Sequence, residues 1–286
     1  MSWIEVVAYF DKAPEDWSPY VDVFGQFGCE NTIQTDTPAT LGAAVVEVDG
    51  AEQVVGNLKS ALLEMGASRV ESRPLVEENW EENWKRFFKP RRVGKRFVVR
   101  PTWEEFELSE GDFEIVLDPG QAFGTGDHPT TRMCLELLDE FLVPGQTVAD
   151  IGCGSGILAV GAVKLGAGRV VAIDIDPLSV EVSKENATLN QVQFESITGV
   201  GVQSLPPASP ESKQYDLVVS NIISATLISI AREIAQVVRP GGTWIVSGII
   251  EANWPDVKEA AQRAGFKLEK QLQEDDWIGA ALIKAG

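Results

Sequence analysis

Histidine is almost missing from this 286-residue chain, where His128 stands alone. A multi-histidine metal site is thereby excluded. Cysteine is scarce as well. Cys29, Cys134 and Cys153 are scattered, and none belongs to a C-x-x-C pair. Neither a disulfide framework nor a zinc site is indicated, and no metal is expected. No stretch of 18 residues is unbroken apolar, so no membrane span is expected. The first residues, "MSWIEVVAYFDKAPEDW", lack the basic-then-apolar order of a signal peptide, and a cytoplasmic location is expected. Basic residues are outnumbered by acidic ones, 24 to 43, for a net charge of −19. Phosphate backbones need clustered Lys and Arg, so neither nucleic acid nor an anionic membrane is an expected partner. Such a charge suits a basic protein partner, and equally a solvated acidic surface. Internal repeats and low-complexity tracts are missing too. Nothing indicates self-assembly, and a monomer is expected. The apolar fraction, 44%, is enough for a sizeable core.

The order of elements predicts two domains. Residues 1–76 predict β-α-β-β-α-β: a strand at 3–10, a helix at 13–28, strands in "CENTIQTD" and at 41–49, a helix at 51–66, and a strand in "SRVESRPLV". That order is the split β-α-β of a ferredoxin-like fold. "EENWEENWKRFFKPRR" (77–92) follows. Trp80, Trp84, Phe87 and Phe88 fall on one helical face, which predicts a connecting helix ended by Pro90. Its basic end continues to Arg96 as the one positive cluster in an acidic chain. Residues 96–120 predict two strands around a Gly-Asp turn. From residue 130, helices and strands alternate, which implies a mostly parallel sheet with helices on both faces. The last two strands are close enough to pair antiparallel. Residues 93–286 form the second domain on this reading.

Three strand ends carry the chemistry. "VADIGCGSGILAV" (148–160) runs from a strand through Asp150, Gly152, Gly154 and Gly156 into a helix. Glycines there permit sharp turns and close approach to a ligand, and the helix start offers unpaired N–H groups. The spacing is G-x-G-x-G rather than G-x-G-x-x-G, with Ile157 in the third-glycine position of the longer pattern. That counts against a dinucleotide. So does Asp150, which can accept from an ammonium group but repels a pyrophosphate. The second strand ends in "AIDIDP". Asp174 lies 22 residues after Gly152, where a carboxylate can take both hydroxyls of a ribose. Asp176, followed by Pro177, reads as a helix N-cap. The third strand ends in Asn221, whose amide offers a donor and an acceptor.

These motifs resemble the seven-stranded, Rossmann-like class I S-adenosylmethionine-dependent methyltransferases. "DIGCGSG" is similar to their first motif, "AIDIDP" to their second, and "VVRPGGTWIVSG" to a later one in which "PGG" is a tight turn. "LDPGQAFGTGDHPTT", with "SNI" and "SGII", resembles more narrowly the PrmA-type ribosomal protein methyltransferases. That resemblance implies an α/β fold, with a seven-stranded methyltransferase domain and a smaller N-terminal α+β domain that captures substrate. It implies S-adenosylmethionine as cofactor and amino groups of the large-subunit ribosomal protein L11 as substrate, on lysine side chains or the α-amine. It implies cofactor binding by Thr131, Gly152, Asp174 and Asn221. Gly154 and Gly156 join them through the glycine loop, and Phe123 by packing on the cofactor or presenting its ring to the sulfonium. Asp127 stands where that family commonly carries Thr or His.

Methyl transfer from a sulfonium needs a neutral amine but no covalent intermediate and no protonated leaving group. A dedicated base is therefore optional. His128 precedes Pro129, which favours extended backbone, and loop ordering is the expected role over proton transfer. Thr130 and Thr131 are expected to cap the next helix. No catalytic residue is assigned; Asn221 is the candidate for positioning the amine. A lysine methyltransferase of another protein, a non-catalytic cofactor-binding module and a nicotinamide oxidoreductase are the competing readings. Adenine or glutamine methylation would favour Asn-Pro-Pro-aromatic, where this chain has Asn221-Ile222-Ile223.

Overall fold

The computed structural model describes residues 3–14, 16–29, 32–36, 38–46, 51–75, 88–118, 124 and 126–286. The chain divides into two compact units, Met1–Phe87 and Phe88–Gly286.

The first unit runs β1 (Trp3–Tyr9), α1 (Ser18–Gln26), β2 (Thr32–Asp36), β3 (Ala39–Val46), α2 (Ala51–Glu64) and β4 (Arg69–Leu75). Its sheet is antiparallel throughout, ordered β2-β3-β1-β4. Val6, Ala8 and Leu41 meet Phe24, Leu58 and Leu62 in its core. The first helix begins at Ser18 rather than residue 13. Pro19 lies in its first turn, where a missing N–H costs nothing, so the residue that looks like an interruption marks the start. Pro74 is tolerated in β4 because β4 is an edge strand.

Residues 77–87 of the expected connecting helix lie outside the described residues. Arg91 and Arg92 are strand, not helix. They belong to β5 (Arg91–Val93), which pairs antiparallel with β6 (Phe97–Arg100) across the turn at Gly94. β7 (Phe113–Val116) pairs with β6 in parallel. The two strands expected in 96–120 are therefore present, but they are not a hairpin. The segment 101–112 crosses over between them, and Gly111-Asp112 ends that crossover. Within the described part of the basic cluster, Lys89 pairs with Glu104 at 2.5 Å, and Arg92 with Asp112 and Arg96 with Asp139 each at 2.6 Å; Arg100, beyond it, pairs with Glu114 at 2.6 Å.

The large sheet follows. Its elements are α3 (Pro129–Phe141), β8 (Thr147–Ile151), α4 (Ile157–Lys164), β9 (Arg169–Asp174), α5 (Pro177–Leu189) and β10 (Glu195–Thr198). Then come β11 (Tyr215–Asn221), α6 (Ser224–Val237), β12 (Val238–Ile250), α7 (Trp254–Arg263), β13 (Phe266–Glu274) and β14 (Trp277–Lys284). The strand order is β10-β9-β8-β11-β12-β14-β13, with β14 antiparallel to both neighbours. Alternate residues feed two cores. Val148, Val219 and Ile245 face Leu135, Leu138 and Ile157 on one side. Ala149, Val218, Trp244 and Val246 face Leu227, Ile234 and Trp254 on the other. "PGG" (240–242) is not a free turn but a bulge at the start of β12. Tyr215 pairs with Val238 and Leu217 already with Thr243, so the intervening residues loop out.

The strand order reverses between β8 and β11, where one crossover leaves for β9 and the next arrives from β10. Open α/β sheets bind ligands outside the carboxyl ends of their strands at such a point.

Candidate cofactor and active site

At the end of β8 the chain turns through Gly152, Gly154 and Gly156, with φ of 77°, 51° and 77°. Only glycine adopts these values without strain. The turn folds back over β9. The amides of Gly152 and Cys153 donate to the Ile173 carbonyl at 2.8 and 3.1 Å. The Gly154 amide donates to Asp174 Oδ2 at 2.9 Å, and the Asp176 amide to Asp174 Oδ1 at 3.0 Å. A carboxylate offers about four lone-pair sites, so each oxygen of Asp174 keeps acceptor capacity for a ligand. Asp176 caps α5, accepting from the Leu178 amide at 3.0 Å with Pro177 beginning the helix.

These ends border a cavity of about 420 Å³. Thr131, Gly152, Gly154, Asp174 and Asn221 all line it, together with Gly124 and Cys153. Ile151, Leu158, Ile173, Ile222 and Ile230 give it apolar walls. Two expected residues stand apart. Gly156 is not in the lining; a β-carbon there would lie 2.8 Å from Ser183 Cβ, so it serves the close packing of α4 on α5. Phe123 lies outside the described residues. Gly199 and Gly201, after β10, line the cavity without having been singled out. Their signal in the sequence is "TGVG", two glycines directly after a strand end.

The loop before α3 reaches the site from the side. The Gly124 carbonyl accepts from Ser155 Oγ at 2.7 Å, which ties this loop to the glycine turn. Its φ of 102° requires glycine, and a β-carbon would meet Ser155 Oγ at 2.8 Å. The cap of α3 is His128, not Thr130 or Thr131. His128 has extended backbone (ψ 137°), as expected before proline, and its Nδ1 accepts from the Thr130 amide at 3.4 Å. Pro129 occupies the first helical position, which displaces both threonines into the first turn, where they are fully buried. Burial and the nearby Arg132 push the His128 pKa down, with Glu274 opposing, which favours the neutral ring that such a cap requires.

Three acceptor atoms at the site are unmet. Asn221 Nδ2 donates to Thr131 Oγ1 at 3.3 Å, while Asn221 Oδ1 is buried without a partner. Asp150, directly before the lining residue Ile151, is fully buried and neither of its oxygens is hydrogen-bonded. Burial pushes its pKa up to about 7; the Ala159 amide opposes the rise without reaching hydrogen-bond geometry, and Asp174 adds to it. Burial likewise pushes the Cys153 thiol up, so it is not a thiolate. Among the described residues no Lys, Arg or His lines the cavity. Unmet acceptors beside an apolar pocket with no cationic side chain among its described residues fit a ligand carrying positive charge and hydrogen-bond donors. They do not fit a pyrophosphate.

Residues 15–284 match the family described as ribosomal protein L11 methyltransferase (PrmA). A ribosomal protein L11 methyltransferase of Pelotomaculum thermopropionicum is 38% identical, over the whole of both chains. That of Bacillus cytotoxicus is 37% identical over 81% of this chain and 76% of its own. The crystal structure of a ribosomal protein L11 methylase from Lactobacillus delbrueckii subsp. bulgaricus matches with a TM-score of 0.64. It is 29% identical and covers 70% of this chain and 100% of its own. With its α/β methyltransferase fold and its sheet-edge cavity, this chain is an enzyme of the S-adenosylmethionine-dependent methyltransferase class and belongs to the ribosomal protein L11 methyltransferase (PrmA) family.

Proposed function

We propose that this enzyme methylates amino groups of ribosomal protein L11, on lysine side chains, the N-terminal α-amine or both. The observation that carries this reading is the acceptor-rich cavity at the carboxyl edge of the sheet, without a cationic side chain among its described residues. S-adenosylmethionine, when bound, supplies an electrophilic methyl group on a positively charged sulfur. Thr131, Gly152, Gly154, Asp174 and Asn221 would hold it, and Phe123 is a candidate from the family resemblance alone. Gly156 contributes through helix packing. Asp150 favours positive charge in the cavity from behind its wall.

Transfer breaks the carbon–sulfur bond and forms a carbon–nitrogen bond on the neutral amine, giving a methylammonium; the one proton of the net reaction leaves the substrate ammonium before it binds. Asn221 holds the incoming amine through an N–H, which leaves the lone pair free. Desolvation by the isoleucine walls favours the neutral amine. The N-terminal unit acts as a ferredoxin-like substrate-capture domain, and the acidic surface suits a basic ribosomal protein. The protein works as a cytoplasmic monomer without metal, nucleic acid or membrane as partner.

Mass spectrometry of L11 after incubation with enzyme and cofactor tests the assignment directly; unmodified L11, with another protein methylated instead, would overturn it. Asn221→Ala is expected to lower kcat about 100-fold at saturating cofactor. Full turnover in that variant would remove Asn221 from the amine-holding role.

The pH profile follows from the lining. Among the described residues no histidine, lysine or arginine lines it, and burial keeps the Cys153 thiol protonated. Deprotonation then precedes binding. The ratio kcat/KM is expected to rise about tenfold per pH unit up to the amine's own pKa, near 10.4 for lysine or near 7.7–8.0 for an α-amine. Peptides carrying only one amine type separate the two. A plateau below pH 7 on a lysine peptide would reveal an enzyme base.

A further inference from the structure

The far edge of the sheet takes hold of the helix start that carries Thr131. β13 and β14 form a hairpin whose turn lies between Glu274 and Trp277, and three contacts run from it to the start of α3. The Trp277 ring meets the His128 ring edge-on, with centroids 4.7 Å apart. Arg132 donates through Nε and Nη2 to the two carboxylate oxygens of Glu274, and through Nη1 to the Asp127 carbonyl. Gly279 in β14 lies beneath Met133, where a β-carbon would stand 2.8 Å from Met133 Cβ. His128 caps the helix and Arg132 and Met133 follow in its opening residues, so all three contacts fall at the helix start. Thr131 sits between them and receives Asn221 Nδ2. The hairpin is anchored in turn, since the Glu251 amide donates to the Asp276 carbonyl at 2.8 Å.

We infer that the β13–β14 hairpin is a clamp, in which Glu274 acts through Arg132, and Trp277 through His128, to hold Thr131 and thereby the Asn221 amide in working orientation. Arg132, Glu274 and Trp277 are positioning residues; none lines the cavity. The arrangement is the one such a role demands. Arg132 is mostly buried, with its side chain 15% exposed, and its planar fork engages both carboxylate oxygens. A single substitution outside the cavity therefore releases a residue that lines it, and displacements of about 1 Å cost about 100-fold in favourable cases.

The clamp rests on the methyl-transfer reading for its kinetic consequence but not for its existence, so two measurements are needed. Hydrogen exchange in the free protein reads the clamp itself. The Thr131 and Arg132 amides donate to the His128 carbonyl in the first turn of α3. Their exchange is expected to quicken about tenfold in Glu274→Gln and in Arg132→Met, while the slowest-exchanging core amides keep the parent's rates. Kinetics reads its purpose. At saturating cofactor, kcat is expected to fall about tenfold in each variant, with KM for the cofactor changed less than about twofold. The double variant is expected to be no worse than either single one, and Arg132→Lys to recover part of the loss. Unchanged exchange in Glu274→Gln overturns the clamp; unchanged kcat, or losses that multiply, overturns its catalytic purpose. If the parent protein methylates no amine on L11, the functional reading falls, and the exchange result still decides the clamp.

Discussion

Asp150→Asn is expected to stabilise the free protein at pH 8 and to weaken its hold on S-adenosylmethionine. The physical basis is a fully buried carboxylate with two unmet oxygens, its pKa pushed from the usual 3.8 to about 7. The folded state prefers the protonated acid, so ionisation opposes folding. Below the ordinary carboxylate range both states hold the proton and no penalty exists. As pH rises from about 4 to about 7 the unfolded chain ionises first, and stability is lost progressively. Above 7 the penalty is constant. At about 1.4 kcal/mol per pH unit, that interval corresponds to roughly 4 kcal/mol as an upper bound. Asparagine matches the shape of the neutral acid, so a gain of about 2–4 kcal/mol is expected at pH 8 and almost none at pH 4. Urea denaturation at the two pH values measures it; equal stability of parent and variant at pH 8 would show that the carboxylate is not under strain.

A group so costly persists when it serves something else. Here the second half of the prediction is the informative one. The ionised Asp150 places negative charge behind Ile151 and Gly152, next to a cavity without any cationic side chain among its described residues. Binding a cation relieves the buried charge, so cofactor affinity is expected to fall tenfold or more in Asp150→Asn, a loss of about 1.4 kcal/mol or more. Calorimetry at pH 8 reads it. Undiminished affinity alongside increased stability would leave Asp150 without a role in the site.

How much of this could be seen in the sequence depends on how local the signal is. The glycine turn was legible because backbone that must take positive φ announces itself as glycine, and a strand pattern before it and a helix after it place it at a sheet edge. Asp174, Asp176 and Asn221 follow from the same register. β10 escaped notice because "ESIT" is four residues long, half-buried and paired on one side only, so it has no apolar run. Two strands were legible in 96–120, but nothing in their composition says whether they run parallel. His128 was legible as part of the loop, yet the cap fell to it rather than to Thr130, because Pro129 fixes the first helical residue. The clamp was illegible altogether. Arg132 and Glu274 are 142 residues apart, and each by itself is an ordinary charged residue. Only the antiparallel insertion of β14 beside β12 brings them together.

Gly248→Ala is expected to cost about 3 kcal/mol or more, lowering Tm by roughly 6–12 °C, and to depress methyl transfer more than tenfold. In the middle of an ordinary strand, glycine to alanine stabilises by about 0.5–1 kcal/mol. The sign reverses here for two reasons. The φ of Gly248 is 83°, and an added β-carbon would lie 2.4 Å from the Ile222 oxygen, 2.8 Å from its carbonyl carbon and 3.0 Å from its nitrogen. All three atoms are backbone, so no side chain can swing away. A bulge creates the approach. Val246 pairs with Ala280 and Ile249 with Ile278, so Ser247 and Gly248 share a single opposing residue, and Ser247 Oγ donates to the Ile278 carbonyl at 2.9 Å. Relief of the clash must move Ile222, which lines the cavity and follows Asn221 directly. Gly241→Ala in the same strand is the control. Its φ is also positive, at 71°, but the nearest atom to an added β-carbon is Arg239 Nη1 at 3.6 Å, the end of a flexible side chain. That variant is expected to lose only the conformational cost, about 1–2 kcal/mol, and to keep its activity. Thermal melts and transfer rates of the two variants side by side separate strain from collision. Equal losses of stability, with activity retained in both, would mean that Gly248 supplies a backbone angle and does not set the position of Ile222.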